Sequence, residues 1–288
     1  MNATFTKSVG PFLHPSLFER KIYACICFPA ILANIFMAYA LIVLKKRRYI
    51  FFLNLTFTDV ILSIGLFFTR SIEPPWVPDN PLLAVLYCKI VINEYLIWAS
   101  RNVSSYIMVS MAVDRFVAVN LPFLYKKWTS RNSHIFMATV SWALGMIASL
   151  DLVYRLKPKG DICIQSSYSN IIYVIGSLQT IYTVIIPCSV MIMLYAASLY
   201  KLDSMNGKIR NLTKSFIAIS TIYLVCWMPS SIYFLAIRFP LHDISLLDHP
   251  LYDITIYTGF LNSLINPFSY LFISPGLRRD ILSHFKKQ

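Results

Sequence analysis

Seven stretches of mostly apolar residues alternate with short polar segments along the chain, at about 22–44, 50–72, 83–117, 133–155, 171–200, 208–238 and 250–273. A helix needs about 20 mainly apolar residues to cross the hydrocarbon core. The pattern therefore predicts an all-α membrane protein, a seven-transmembrane helix bundle over 22–273. Residues 1–21 form an outer tail and 274–288 a short amphipathic inner helix and tail. The linkers are too short for a soluble domain, and no internal repeat or low-complexity tract is present. Met1 to Lys21 shows no apolar run followed by small residues, so insertion is expected to rely on the first span.

Composition agrees. Of 288 residues 57% are hydrophobic and 14% charged, whereas soluble domains carry about a quarter charged residues. The net charge of +13 is unevenly placed. Segments 45–49, 115–132, 201–214 and 274–288 hold 16 of the 26 Lys and Arg, against Asp114, Asp203 and Asp280, so the whole excess lies on one side. The positive-inside rule makes that side cytoplasmic and the N-terminus extracellular. Because the basic segments alternate with membrane spans, nucleic acid is not an expected partner; lipid is.

Cys25, Cys27, Cys188 and Cys226 fall inside spans and read as small apolar fillers. Cys88 opens span three and Cys163 follows span four, both on the oxidising side, where a disulfide between them is expected. Asn2-Ala3-Thr4 is a glycosylation sequon on the outer tail. The sequons at Asn54, Asn102 and Asn211 lie in spans or inside and should stay unmodified.

Span seven contains LNSLINPFSYLF, with Asn262, Ser263, Asn266, Pro267 and Tyr270 in an apolar setting. Polar groups in membrane helices face the bundle interior and pair there. Asn262 and Asn266 share a face, and Pro267 frees backbone carbonyls near Asn262 and Ser263 that neighbours or water must satisfy. Asp59, in mid-span two, could be approached by Ser104 and Trp227. Its charge calls for a proton or a hard cation, and Asp59, Ser104, Asn262, Ser263 and Asn266 offer oxygens suited to hydrated sodium. No other cofactor is expected.

Asn266-Pro267-Phe268-Ser269-Tyr270 resembles the Asn-Pro-x-x-Tyr signature of the rhodopsin-like family of G-protein-coupled receptors. Asn34, Asp59, Asp114-Arg115-Phe116, Trp142, Pro187 with Tyr195, and Cys226-Trp227-Met228-Pro229 follow the family's order, one set per span. The resemblance covers essentially the whole chain. It implies a plasma-membrane receptor, without enzymatic activity, that binds an extracellular ligand and activates a heterotrimeric G protein.

By that resemblance, Asp114 holds Arg115 at rest and Arg115 meets the G protein on activation. Pro229 hinges span six, Trp227 senses ligand, and Tyr195 and Tyr270 swing toward Arg115. Phe116 stands where Tyr is typical, and Tyr223 and Ser105 replace the usual Phe and Ile of the central packing switch. Lys208, Ile209 and Arg210 offer no acid at the inner end of span six, so no resting pair from Arg115 to that span is expected. Ligand-free signalling is the corresponding hypothesis; a basal signal no higher than that of empty cells would count against it. Pro275 starts a segment whose Leu277, Ile281 and Phe285 recur on one face, an interfacial helix on the inner leaflet. No Cys follows to carry a palmitoyl chain.

Amine receptors of the family carry an Asp in the outer third of span three. Counting from Arg115 places that site at Ile97, and counting from Cys88 at Tyr95, because the interval is about two residues longer than usual. Neither is acidic, although Glu94 is close. Two readings stay open for Arg101 in mid-span: pairing with Glu94, seven residues earlier, or holding an anionic ligand group. Arg155, Lys157 and Lys159 on one outer segment, with Asp243, Asp248 and Asp253 on another, suit a short peptide, with a small amine, lipid or acid as the alternatives. The candidate pocket comprises Glu94, Trp98, Arg101, Gln179, Trp227, Phe234, Asp253 and Tyr257. An ion-coupled transporter is the rival class, but such transporters show paired repeats. An opsin needs a Lys in span seven, and Leu251 to Phe272 contains none.

Overall fold

A computed structural model describes residues 15–72, 77–128, 130–154, 156–160, 162–165, 178–236 and 250–286. Asn2, Arg155, Asp243 and Asp248 lie outside these.

Span one, Leu17–Leu44, begins at a reciprocal cap. The Glu19 N–H donates to the Ser16 hydroxyl at 3.3 Å while the Glu19 carboxylate accepts from the Ser16 N–H. Tyr23, Cys27, Ala30, Asn34, Met37 and Leu41 recur every three or four residues and are buried. Phe28, Leu32, Ile35, Phe36 and Tyr39 lie exposed on the other face. That exposed apolar face suits a chain solvated by lipid.

Among the described residues, Leu17–Leu44, Ile50–Ser71, Arg131–Tyr154, Leu178–Leu199 and Ile209–Ala236 are each long and apolar enough to cross a membrane. Span three adds a sixth as two pieces, Pro81–Ile92 and Tyr95–Asn120, bent by 44°. Span seven, Pro250–Ile273, is 24 residues long. It is too polar to pass the same test, yet it packs against spans six, one and two. Its polar residues turn inward, which removes them from lipid.

The break in span three explains the irregular count along it. Tyr87–Ile92 winds as π-helix, and Glu94 follows in the left-handed conformation with φ 55°. A π-turn accommodates extra residues within a helix, so the longer interval from Cys88 to Arg115 is taken up there. Spans three and four meet closely at Gly145, where a Cβ would fall 2.4 Å from the Val103 backbone nitrogen.

After span four, strands Leu156–Lys159 and Ile162–Gln165 pair antiparallel around Gly160, whose φ is +58°. Cys163 joins Cys88 with a Cα–Cα distance of 5.6 Å, tying this hairpin to the outer end of span three as expected.

The final helix, Pro275–Phe285, follows span seven as expected. Leu277 and Ile281 are buried against the bundle, and Phe285 stacks on Phe36 at 6.2 Å. Leu282 and Phe285 stay exposed on the same helix. Asp280 fastens it, accepting from Tyr49 Oη at 2.6 Å, Lys46 Nζ at 2.7 Å and the Arg48 guanidinium. Burial works against its ionisation, but hydrogen bonds from Lys46, Tyr49 and Arg48 hold the Asp280 carboxyl down at about 2.

Candidate functional site

Polar and aromatic groups form three tiers through the bundle. The middle tier answers for the polar content of span seven. Pro267 has no N–H to give the carbonyl of Ser263, four residues earlier. Asn34 of span one takes that carbonyl instead, donating from Nδ2 at 2.8 Å. Asn266 Nδ2 donates to Asp59 Oδ2 at 2.9 Å, and the Asn262 and Asn266 amides bond each other at 3.1 and 3.3 Å. The Ser63 hydroxyl donates to Ser263 Oγ at 3.1 Å.

Two expected neighbours of Asp59 make their described side-chain contacts with other groups. The Ser104 hydroxyl pairs with Thr58 Oγ1 at 2.7 Å, because Thr58 turns toward span three from the position before Asp59. Trp227 sits higher, edge-on to Phe260 at 5.7 Å. Gly259 makes room for it, since a Cβ there would fall 2.7 Å from the indole.

At the inner tier, Arg115 is buried and bonds the carboxylate of Asp114 through Nε at 2.9 Å and through Nη2. Nη2 also donates to Tyr125 Oη at 3.1 Å, and the guanidinium lies 5.1 Å from the Phe216 ring centre. Span six thus meets Arg115 with an aromatic face, matching the acid it lacks. Phe216 packs on Phe52 at 5.3 Å, and Phe52 stacks on Tyr270 at 4.9 Å. An aromatic chain so connects Tyr270 with Arg115. Tyr195 Oη pairs with Ser220 Oγ at 3.0 Å, whereas the Tyr270 hydroxyl is buried without a partner.

This tier also holds residues the sequence did not single out. His134 Nε2 lies 3.0 Å from Asp114 Oδ1, Tyr125 bonds Arg115, and Phe216 underlies it. A histidine four residues after the span-four cap Ser130 was the one available signal. Spacing alone does not pair it with span three.

At the outer tier, Glu94 pairs with Arg70 of span two and accepts from Trp98 Nε1 at 3.3 Å. Pairing of Glu94 with Arg101 presumed one unbroken helix, and the left-handed turn at Glu94 removes that register. Arg70, in the apolar run Phe67-Phe68-Thr69-Arg70, was missed because its partner sits on another span. Arg101 instead donates to Ser231 Oγ at 2.9 Å and Asn102 Oδ1 at 3.2 Å, with its guanidinium 4.8 Å from the Trp227 ring centre.

Rings complete this tier. Phe260 lies 5.7 to 6.3 Å from Trp227, Tyr23 and Trp98, Phe234 lies 6.1 Å from Trp98, and Tyr257 lies 5.1 Å from Tyr23. Gln179 is set apart, donating to Asp151 Oδ1 at 2.7 Å toward the end of span four. Asp253 occupies the first turn of span seven. Ile97, one of the two positions matched to an amine-binding acid, is buried against the site of Gly65.

The model of the rhodopsin-family 7 transmembrane receptor matches residues 33–270. That stretch holds the three tiers apart from Tyr23. The chain belongs to the rhodopsin family of seven-transmembrane receptors. As such it is a multi-pass plasma-membrane receptor with an extracellular N-terminus, not an enzyme, and it works with an extracellular ligand and a heterotrimeric G protein. The family decides between receptor and transporter. Curated relatives include the C3a anaphylatoxin chemotactic receptor of Oncorhynchus mykiss, 22% identical over 95% of this chain and 79% of that protein. The somatostatin receptor type 5 of Bos taurus is 24% identical over 90% and 73%. A purinoceptor of Gallus gallus is 23% identical over 92% and 79%. The receptor is similar to each at a level that carries the family and no particular ligand.

Proposed function

We propose that the receptor binds a short peptide at its outer tier and transmits that event through Trp227 to the inner end of the bundle. The observation that carries this reading is the meeting of Trp98, Phe260, Trp227 and Arg101 from spans three, six and seven. Aromatic anchors beside buried charge are what peptide contacts use most effectively. Lys157 and Lys159 on the hairpin and Asp253 on span seven add charge of both signs. The relative named for somatostatin favours the same class, and one named as a purinoceptor favours a small ligand.

A ligand can shift helix populations only by its unequal affinity for two packings. Trp227 is suited to this, lying two residues before the Pro229 hinge and against Gly259 of span seven. Asp114, Arg115, Tyr195, Pro267 and Tyr270 are the response end. Below Trp227, the Asp59 seam is the proposed seat of a hydrated sodium ion, with Asn262 and Asn266 beside it; Ser104, paired with Thr58, and Ser263, paired with Ser63, complete the proposed set. Screening peptide and small-molecule libraries in one reporter line tests the reading. Peptide hits that fail on Trp227→Ala at equal surface expression support it; hits confined to small molecules overturn it.

A further inference from the structure

Among the described residues, no acid neutralises the charge of Arg101. A guanidinium has five N–H donors and cannot lose its proton. Among the described residues, only Asn102 Oδ1 and Ser231 Oγ receive hydrogen bonds from it, and both are uncharged. The side-chain Nε is buried and has no hydrogen-bond partner among them. Glu94 is engaged by Arg70, and Asp59 accepts from Asn266 one tier below. No carboxylate lies within ion-pair reach of Arg101 among the described residues.

The neighbours of Arg101 are committed too. Asn102 donates to Ser149 Oγ at 2.9 Å, and Ser231 donates to the Trp227 carbonyl at 2.8 Å. They hold the guanidinium in place without quenching its charge. Its remaining attraction is to the Trp227 ring, a contact that weakly offsets desolvation. Arg101 is half-buried, with its Nε shut off from solvent, and a charge so placed is unfavourable unless something supplies the counter-charge. The Arg70–Glu94 pair shows a second arginine of the same tier that is neutralised.

We infer that Arg101 anchors an anionic group, a carboxylate or a phosphate, carried by the extracellular ligand. This rests on the receptor reading above and names the chemistry at the foot of its site. The planar fork left free, Nε–H with the unused Nη hydrogens, matches two oxygens of one oxyanion. Binding there also has a route to the response. An oxyanion draws the guanidinium toward itself and away from the indole face, and Trp227 loses the cation that rests on it.

The test uses the full-length receptor in a reporter line, with surface expression measured alongside. Its probes are a peptide library in matched C-terminal acid and amide forms, aromatic carboxylic acids with their primary amides, and phosphomonoesters with their neutral alcohols. The expected result is activity confined to anionic members, which of the two anion arms responds telling carboxylate from phosphate. Neutralising the probe and Arg101→Gln should each weaken potency about 10- to 100-fold, with little further loss when combined. Arg101→Lys, which keeps the charge but not the fork, should restore part of it. Active amides or alcohols of undiminished potency, or full potency on expressed Arg101→Gln, overturn the anion assignment and leave the receptor standing. Silence toward every probe, together with failure of the wild-type receptor to activate any G protein, counts against the receptor reading itself.

Discussion

His134 on span four holds the acid beside Arg115: its Nε2 lies 3.0 Å from Asp114 Oδ1, and its Nδ1 lies 2.8 Å from the Ser130 carbonyl oxygen. A carbonyl only accepts, so Nδ1 donates to it, and the contact with Asp114 needs one further proton between the two. Asp114 is thereby oriented from span four while Arg115 grips its other oxygen. His134→Phe keeps a ring against Phe51, which now meets it at 5.3 Å, and removes the Asp114 contact. Ligand-free G-protein activation should rise several-fold above that of the parent receptor. Second-messenger output at matched surface expression checks this.

Arg115→Ala should abolish coupling while leaving expression largely intact. The guanidinium contacts Asp114, Tyr125 and Phe216 without any span-six acid, so its loss removes a signalling group more than a structural tie. Full coupling by the variant would refute the role.

Asp59→Asn should remove sodium dependence of agonist binding. The amide still pairs with Asn266 but has no charge to attract a cation. Binding curves in sodium against N-methylglucamine decide it; an unchanged salt response defeats the ion site.

Asn34→Leu should destabilise the folded receptor. The Ser263 carbonyl would lose the donor that replaces the missing Pro267 N–H, and a buried unsatisfied acceptor costs about 1–3 kcal/mol. A lowered melting temperature of the detergent-purified receptor is the expected result, and an unchanged one contradicts the assignment.

Asp280 predicts an acid limit to docking of the last helix. Its folded-state carboxyl is held at about 2 by Lys46, Tyr49 and Arg48 despite partial burial, below the ordinary value near 3.8. A depressed acid stabilises fully above its unfolded value, and that support fades as pH falls from about 4 through about 2. Cytoplasmic acidification should therefore leave the helix docked, while Asp280→Asn loosens it at neutral pH. Protease cleavage after Arg278 and Arg279, compared between parent and variant, reports the difference.

Much of the bundle was readable from the order of residues. The three- and four-residue recurrence of Tyr23, Cys27, Ala30 and Asn34 marks a buried face, and the inward turn of span seven follows from the cost of its amides in lipid. Pro267 implied an orphaned carbonyl, and the structure supplies its donor, Asn34, from more than 200 residues away. The extra length of span three was visible, but a count of residues does not say where a helix will yield. It yields at Tyr87–Ile92 and Glu94, and that displacement hands Glu94 to Arg70.

Hydropathy and charge along the chain were enough for the spans, their orientation and the inward location of Asp59, Asn262, Asn266 and Arg115, because both act locally and the bilayer imposes the same rule on every segment. Which inward group meets which emerges only when the helices pack. Pairings such as Arg70 with Glu94, His134 with Asp114 and Arg115 with Phe216 depend on helix rotation, bend and depth. Those are set by packing across the whole bundle, and the break in span three accompanies the pairing of Glu94 with Arg70.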